Sequence, residues 1–257
     1  MMRVMTFNLR FENETDGPHA WDRRRELVVD VIRRYEPAVV GTQEGKWSQL
    51  TYLLEQLPDY EAVMPGRLPD KHIQCPTLFF RKADIAIEGG REFWLSETPD
   101  VHLSKSWDSA FPRMISFADV RIEKSFRKMT AAVTHLDHLG AEARYCQAGI
   151  ISQWAKQQRY PVILMGDFND APDSRVHDIL TSPATDLHDT WDLAGGGDGA
   201  KSFTHHGFTG IPQKNRLDWI LVDSHFRVRD ARIIRDHVND AFPSDHYPYM
   251  ADVELIK

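Results

Sequence analysis

The sequence predicts an α+β fold in which β-sheets are covered by helices, and three observations predict it. Short apolar, β-branched runs recur along the whole chain. Amphipathic helical segments separate only some of them, and a long stretch from about 60 to 134 carries strand-like runs with no helix between. The order is strand, helix, strand, helix, then strands, then both again, which is not the strict alternation of a purely parallel barrel.

The first run, Val4 to Phe7, precedes a helix over Asp22 to Tyr35. There Leu27, Val28, Val31, Ile32 and Tyr35 fall at helical spacing, Pro37 stops the pattern, and Arg23, Arg24 and Arg33 take the other face. Ala38 to Gln43 reads as the next strand. A second helix follows over Trp47 to Leu57, with Leu50, Leu53, Leu54 and Leu57 inward and Pro58 beyond its end. Strands are then expected at Leu78 to Phe80, Ile85 to Ile87, Met114 to Val120 and Met129 to Thr134, a third helix over Ala141 to Gln158, and strands at Val162 to Met165, Trp219 to Val222 and Met250 to Leu255. The segment Leu95 to Pro112, beside Trp94 and carrying His102 and Trp107, has no periodicity, and loops of that length are uncommon unless they are functional. Gly195 to Gly199 reads as a surface loop: it lacks the Lys-Ser/Thr of a phosphate-binding loop.

A chain of 257 residues, 42% hydrophobic and 27% charged, buries a substantial core, and a single domain over residues 1–257 is expected. Its formal charge of -7 excludes broad electrostatic attraction to a long polyanion, so an anionic substrate must be captured locally. Cys75 and Cys146 make neither a disulfide framework nor a CxxC pair. No run of about 18 apolar residues exists, and polar Asn8 and Arg10 come too early for a signal peptide, so a cytoplasmic protein with no membrane association is expected. Nothing in the sequence calls for an obligate protein partner.

Several strand-like runs end in a group able to bind a metal or move a proton: Phe7 to Asn8, Gln43 to Glu44, Thr134 to His135, and Gly166 to Asp167 with Asn169 close by. Late in the chain the order reverses, since Asp218 begins a run and Asp245-His246 precedes one. An antiparallel strand brings its beginning beside its neighbour's end, so all six places fit one rim. Taken singly, each has an ordinary structural reading. Asn8 and Gly166 to Asn169 fit turns, Glu44 fits the start of the Trp47 helix, and His135 with His138 around Asp137 fits a satisfied surface cluster. Asp218 lies inside a strand, where a buried carboxylate needs a partner, and His246 is a natural one.

Together, Thr6-Phe7-Asn8, Gln43-Glu44, Thr134-His135-Leu136, Gly166-Asp167-Phe168-Asn169, Arg216-Leu217-Asp218-Trp219-Ile220 and Ser244-Asp245-His246 resemble the endonuclease/exonuclease/phosphatase superfamily, in its order. Phe93-Trp94-Leu95-Ser96-Glu97-Thr98, Ser106-Trp107-Asp108 and Pro112-Arg113 look like a bacterial branch similar to the deadenylase-type members. The resemblance implies a four-layer αββα sandwich of two facing mixed sheets, DNase I-like, and a Mg²⁺-dependent phosphoesterase in which Mn²⁺ substitutes. It implies Glu44 as principal metal ligand, with Asn8 and Asp245 nearby, touching the ion directly or through its ligands. Asp167 would orient or deprotonate the attacking water, Asn169 would position it or the phosphoryl group, Asp218 would pair with His246, and His135 would face the scissile phosphate. Arg113, ahead of Arg10, would supply local positive charge and Trp107 an aromatic face for substrate, although a stacked surface arginine and a core tryptophan are equally ordinary readings.

A hard cation with oxygen ligands suits this set, because Mg²⁺ keeps several waters and needs only one or two carboxylates. The departures narrow the branch. Asn8-Leu9-Arg10-Phe11 disfavours abasic-site repair, Arg216-Leu217-Asp218 replaces the Trp-Cys-Asp of inositol phosphatases, and secreted sphingomyelinases need an export signal. The expected substrate is therefore a small phosphoester or short nucleic acid. A nuclease on longer DNA or RNA and a catalytically silent binding module are the alternatives.

Overall fold

In the computed structural model, which describes residues 1–67, 70 and 73–256, the chain opens with strand β1 (Met2–Asn8), helix α1 (Trp21–Tyr35), strand β2 (Val39–Gly45) and helix α2 (Trp47–Gln56). Five strands follow: β3 (Tyr60–Val63), β4 (Cys75–Arg81), β5 (Ile85–Trp94), β6 (Met114–Ile122) and β7 (Lys128–His135). Helix α3 (Ala141–Lys156), β8 (Val162–Asp167), α4 (Arg175–Leu180), β9 (Leu187–Asp189) and α5 (Thr190–Leu193) lead to the last three strands. These are β10 (Asp218–Asp223), β11 (Phe226–Ile233) and β12 (Tyr249–Leu255).

The strands form two six-stranded sheets, ordered β11-β12-β1-β2-β4-β3 and β5-β6-β7-β8-β10-β9. Both are mixed, with β1–β2 and β7–β8 parallel inside otherwise antiparallel ladders. Successive side chains of a strand point to opposite faces, and here both faces are covered. Val4, Val39, Leu78, Val133, Met165 and Ile220 fill the space between the sheets. Their chain neighbours Met5, Val40 and Phe79 pack outward against Val28, Ile32 and Leu53 of α1 and α2. On the other side, Ala132 and Leu164 meet Ala148, Ile151 and Trp154 of α3. Strands covered on both faces read as unbroken apolar runs, which is why the sequence displays them so clearly. The result is the expected four-layer αββα, DNase I-like sandwich.

Several expectations are corrected. Arg24 is not on the solvent side of α1. It is 2% exposed, and its guanidinium donates to four carbonyls, those of His19, Leu9, Pro243 and Arg10. The buried stripe runs through Trp21, Arg24, Val28 and Val31 at helical spacing, so position 24 goes inward despite its charge. Leu27, Tyr35 and Leu54 are only half-buried. Strand β11 escaped the sequence reading because it is a sheet edge whose Arg227, Arg229, Asp230 and Arg232 dilute the apolar pattern, and a bulge between Val228 and Asp230 breaks the alternation.

Candidate active site

Strand register assembles the cluster. Asn8 pairs with Gln43 across β1–β2, His135 with Asp167 across β7–β8, and Asp218 with Asp167 across β8–β10. Because β12 runs antiparallel to β1, with Thr6 opposite Tyr249, the residues just before β12 lie beyond the Asn8 end. The Ser244 hydroxyl fixes that approach by donating to the Asn8 carbonyl at 2.6 Å. The rim therefore collects Asn8, Glu44, His135, Asp167, Asn169, Asp218 and His246, as the reversed strand order required.

Asp167 Oδ2 is the meeting point. It accepts from Asn8 Nδ2 at 2.9 Å and lies 3.5 Å from His135 Nε2 and 3.8 Å from His246 Nε2. Its other oxygen accepts the Asn169 backbone N–H at 3.0 Å. Gly166 permits this placement, since a Cβ there would sit 2.3 Å from the Thr134 carbonyl oxygen. The same Asn8 amide donates to Glu44 Oε1 at 3.2 Å, so one NH₂ bridges two carboxylates, while its oxygen accepts the Arg10 N–H at 2.9 Å. Asn8 thus turns its nitrogen, not its oxygen, toward Glu44.

Glu44 sits where β2 gains a residue relative to β4, between the pairs Thr42–Thr77 and Gly45–Cys75. Its φ of 62° is the left-handed conformation, costly for a side chain bearing a Cβ and commonest where function demands it. The bulge re-aims the carboxylate, whose Oε2 accepts the Phe11 N–H at 3.0 Å. Asn169 is also left-handed, φ 51°, and its amide donates to His135 Nε2 at 2.9 Å and to the Leu136 carbonyl at 3.0 Å.

The electrostatics separate the two histidines. Burial, Arg113 and His246 push His135 well below 6.5, so it is neutral, and the amide donating to Nε2 leaves the proton on Nδ1. Burial would lower His246 too, but Asp218, 2.8 Å from Nδ1, and Asp167 raise it to about 10. Burial and Asp218 raise Asp167 to about 7, against the opposing pull of His246. His246 is therefore an imidazolium at neutral pH, clamped by one carboxylate and aimed at the other. Its raised value stabilises the fold fully below about pH 6.5, and that contribution is lost as pH rises through about 10. In metal-free protein followed by histidine ring NMR, Asp218→Asn is expected to bring the loss of the His246 proton to lower pH. An unmoved titration would show that the Asp218 contact does not govern it.

Arg113 is 8% exposed, with Nη2 3.3 Å from His138 Nδ1 and Nε 3.6 Å from Asp137, and it feels both Glu44 and Asp167. Asp137 is a structural anchor. Burial opposes its charge, but the Gly140, Phe111, Leu139 and Ala110 N–H groups hold its pKa at about 2, which ties the long loop to the β7 end. Trp107 lies half-buried on that loop with φ 59°, and among the described residues no ring or hydrogen-bond contact joins it to the cluster. Arg10 is committed to Asp16 at 2.9 Å. Asp245 lies beside His205 and His246, close enough that the three offer ligand atoms within 4.8 Å of one another. His205, its ring edge-on to His246 at 5.0 Å, was missed from sequence, where the adjacent His205-His206 pair was the available signal.

A second set, Asp167, Asp218 and His246, is equally tight, so the rim carries clusters of the kind that hold a divalent metal. The family model described as "Endonuclease/Exonuclease/phosphatase family" matches residues 5–246, which include every member of this rim. The chain belongs to the endonuclease/exonuclease/phosphatase family. An endonuclease/exonuclease/phosphatase from Bacteroides vulgatus is similar at 30% identity, with 99% of this chain and 98% of that one covered and a TM-score of 0.90. A mannosyl-6-phosphatase of Bacteroides thetaiotaomicron VPI-5482 is similar at 26% identity, covering 99% and 100%, with a TM-score of 0.88. An Acanthamoeba polyphaga mimivirus protein, L388, is 26% identical over 192 residues, 70% of each chain. As a member of the endonuclease/exonuclease/phosphatase family the protein is a phosphoesterase. Among the described residues, no helix is long and apolar enough to cross a membrane.

Proposed function

We propose that this phosphoesterase, acting as one domain over residues 1–257, hydrolyses a small or short phosphoester by in-line attack of water, with Mg²⁺ or Mn²⁺ held at Glu44. The observation that carries the reading is the convergence of Asn8, His135 and His246 on Asp167 Oδ2. The donor set supports a hard, oxygen-preferring ion: Glu44 offers a carboxylate beside Asn8, Asp245 offers one beside His205 and His246, and neither Cys75 nor Cys146 belongs to a rim cluster. Asn8 supports Glu44 through its amide N–H, which places it behind the ligand in its present orientation. Bound there, the ion would polarise a phosphoryl oxygen and offset charge on the leaving oxygen.

The chain's own groups do the rest. Asp167 orients the attacking water and takes its proton, which its raised affinity for protons favours. His246 puts positive charge beside Asp167, and Asp218 holds it there. Neutral His135, fixed by Asn169, faces the phosphoryl group, and buried Arg113 adds positive charge from the β6 side. The mannosyl-6-phosphatase likeness and the charge of -7 both support a small substrate over a long nucleic acid. The two free cysteines support a cytoplasmic setting.

The test is hydrolysis of phosphomonoesters, diesters and short oligonucleotides with Mg²⁺ or Mn²⁺. Cleavage of no phosphoester at all would sink the proposal. Glu44→Gln is expected to move the Mg²⁺ activation curve to higher concentration by about tenfold or more, the cost of weakening one charged ligand. An unchanged curve would relocate the ion.

A further inference from the structure

A cavity of about 450 Å³ opens at the rim between the two sheets, on the β4–β6 side. Gly45, which follows Glu44, and Met114, which follows Arg113, both stand in its wall, so it opens next along the chain to both of those residues. Trp47 from the start of α2 and Trp94 from the end of β5 line it, and the His102 ring stands edge-on to Trp94 at 5.6 Å. This gives the aperiodic loop after Trp94 a place in the site that Trp107 does not supply.

The polar inventory of the cavity is specific. Among the described lining residues, Arg67 is the one Lys or Arg, and its nitrogens are committed: Nε to Glu92 Oε2 at 2.8 Å, Nη1 to Thr77 Oγ1 at 2.7 Å, and Nη2 to the Pro76 carbonyl at 2.8 Å and Ser116 Oγ at 2.6 Å. Each Arg67 nitrogen thus already donates to the protein. Glu92 keeps Oε1 free of protein donors among the described residues, on a side chain 20% exposed. A free carboxylate oxygen repels an anion and accepts hydroxyl protons, while indole faces take up apolar C–H surface. A neutral, polyhydroxylated ring offers both of those surfaces.

Resting on the phosphoesterase reading above, the geometry points to this cavity as the seat of the leaving group and to hexose phosphomonoesters as the substrate class. Trp47 and Trp94 pack against the sugar ring and Glu92 accepts from its hydroxyls, while the phosphate remains at Glu44 and Asp167.

The experiment compares kcat/KM for glucose 6-phosphate, mannose 6-phosphate, AMP and methyl phosphate with Mg²⁺ in the wild-type protein, Trp94→Ala, Trp94→Phe and Glu92→Gln. The expected result is a preference for a hexose 6-phosphate over both AMP and methyl phosphate of at least about tenfold. That ratio should fall about tenfold in Trp94→Ala, mainly through KM, with partial recovery in Trp94→Phe. Preference for AMP, or an unchanged ratio in Trp94→Ala and Glu92→Gln, overturns the cavity assignment while leaving phosphoester hydrolysis standing. Calorimetry of the Asp167→Asn protein with both hexose 6-phosphates and Mg²⁺ keeps the two readings apart. Saturable binding that weakens on adding Trp94→Ala, or Glu92→Gln if that variant does not fold, supports the cavity even without turnover. No binding overturns it.

Discussion

Asp167→Asn is expected to lower kcat by about 10²-fold or more while the protein stays folded. Of the two histidines beside Asp167 Oδ2, His246 is already protonated and His135 Nε2 is occupied by the Asn169 amide, so neither stands ready to take over its proton. The substitution keeps the shape and removes only the charge. Stability should move the other way or not at all. Burial and the adjacent Asp218 raise the Asp167 carboxyl from 3.8 to about 7, so the fold favours its protonated form. Its contribution to stability therefore declines as pH rises from about 4 through about 7. At pH 8 the wild-type protein carries a disfavoured buried charge that the Asn variant lacks, and the variant's Tm should equal or exceed the wild-type value. Steady-state kinetics and a thermal melt on the same sample decide it. Near-normal turnover in a folded variant would remove Asp167 from the reaction, and a collapsed Tm would make its role structural.

Arg24→Met is expected to cost about 3 kcal/mol of stability, read from chemical denaturation, because buried carbonyls lose a charged donor and methionine replaces none of them. The effect should reach the site as well. Arg24 ties the Leu9 and Arg10 carbonyls, just past Asn8, to the Pro243 carbonyl, just before Ser244-Asp245-His246. Loosening that tie frees the ends that carry Asn8 and His246 relative to each other, so activity should fall even under conditions where the variant is fully folded. A variant as stable as wild type would mean that water reaches those carbonyls, and Arg24 would then be replaceable.

Much of this site is legible in residue order. Unbroken apolar runs mark strands sandwiched between two layers, and the polar residue ending each run marks the rim, because a strand buried on both faces has nowhere else to present a charge. The edge strand β11 and the inward Arg24 were not legible, since charge patterning reports the usual exposure of a residue type and not the angle it occupies on its element. Trp94, not Trp107, lines the cavity beside Glu44, a choice between two tryptophans of one segment that composition does not make.

By itself the sequence determined the residue types of the chemistry, the order of the motifs and the strand direction that lets them share one rim. These are local or topological properties, set by hydrophobic period and chain order. Only the tertiary structure decided that Asn8 would bridge Glu44 to Asp167, a partner 159 residues away, and that His135 and His246 would flank the same oxygen with opposite proton affinities. That outcome depends on two sheets packing face to face, because proton affinity is set by burial and by the charges within a few ångströms, and those neighbours come from the opposite end of the chain.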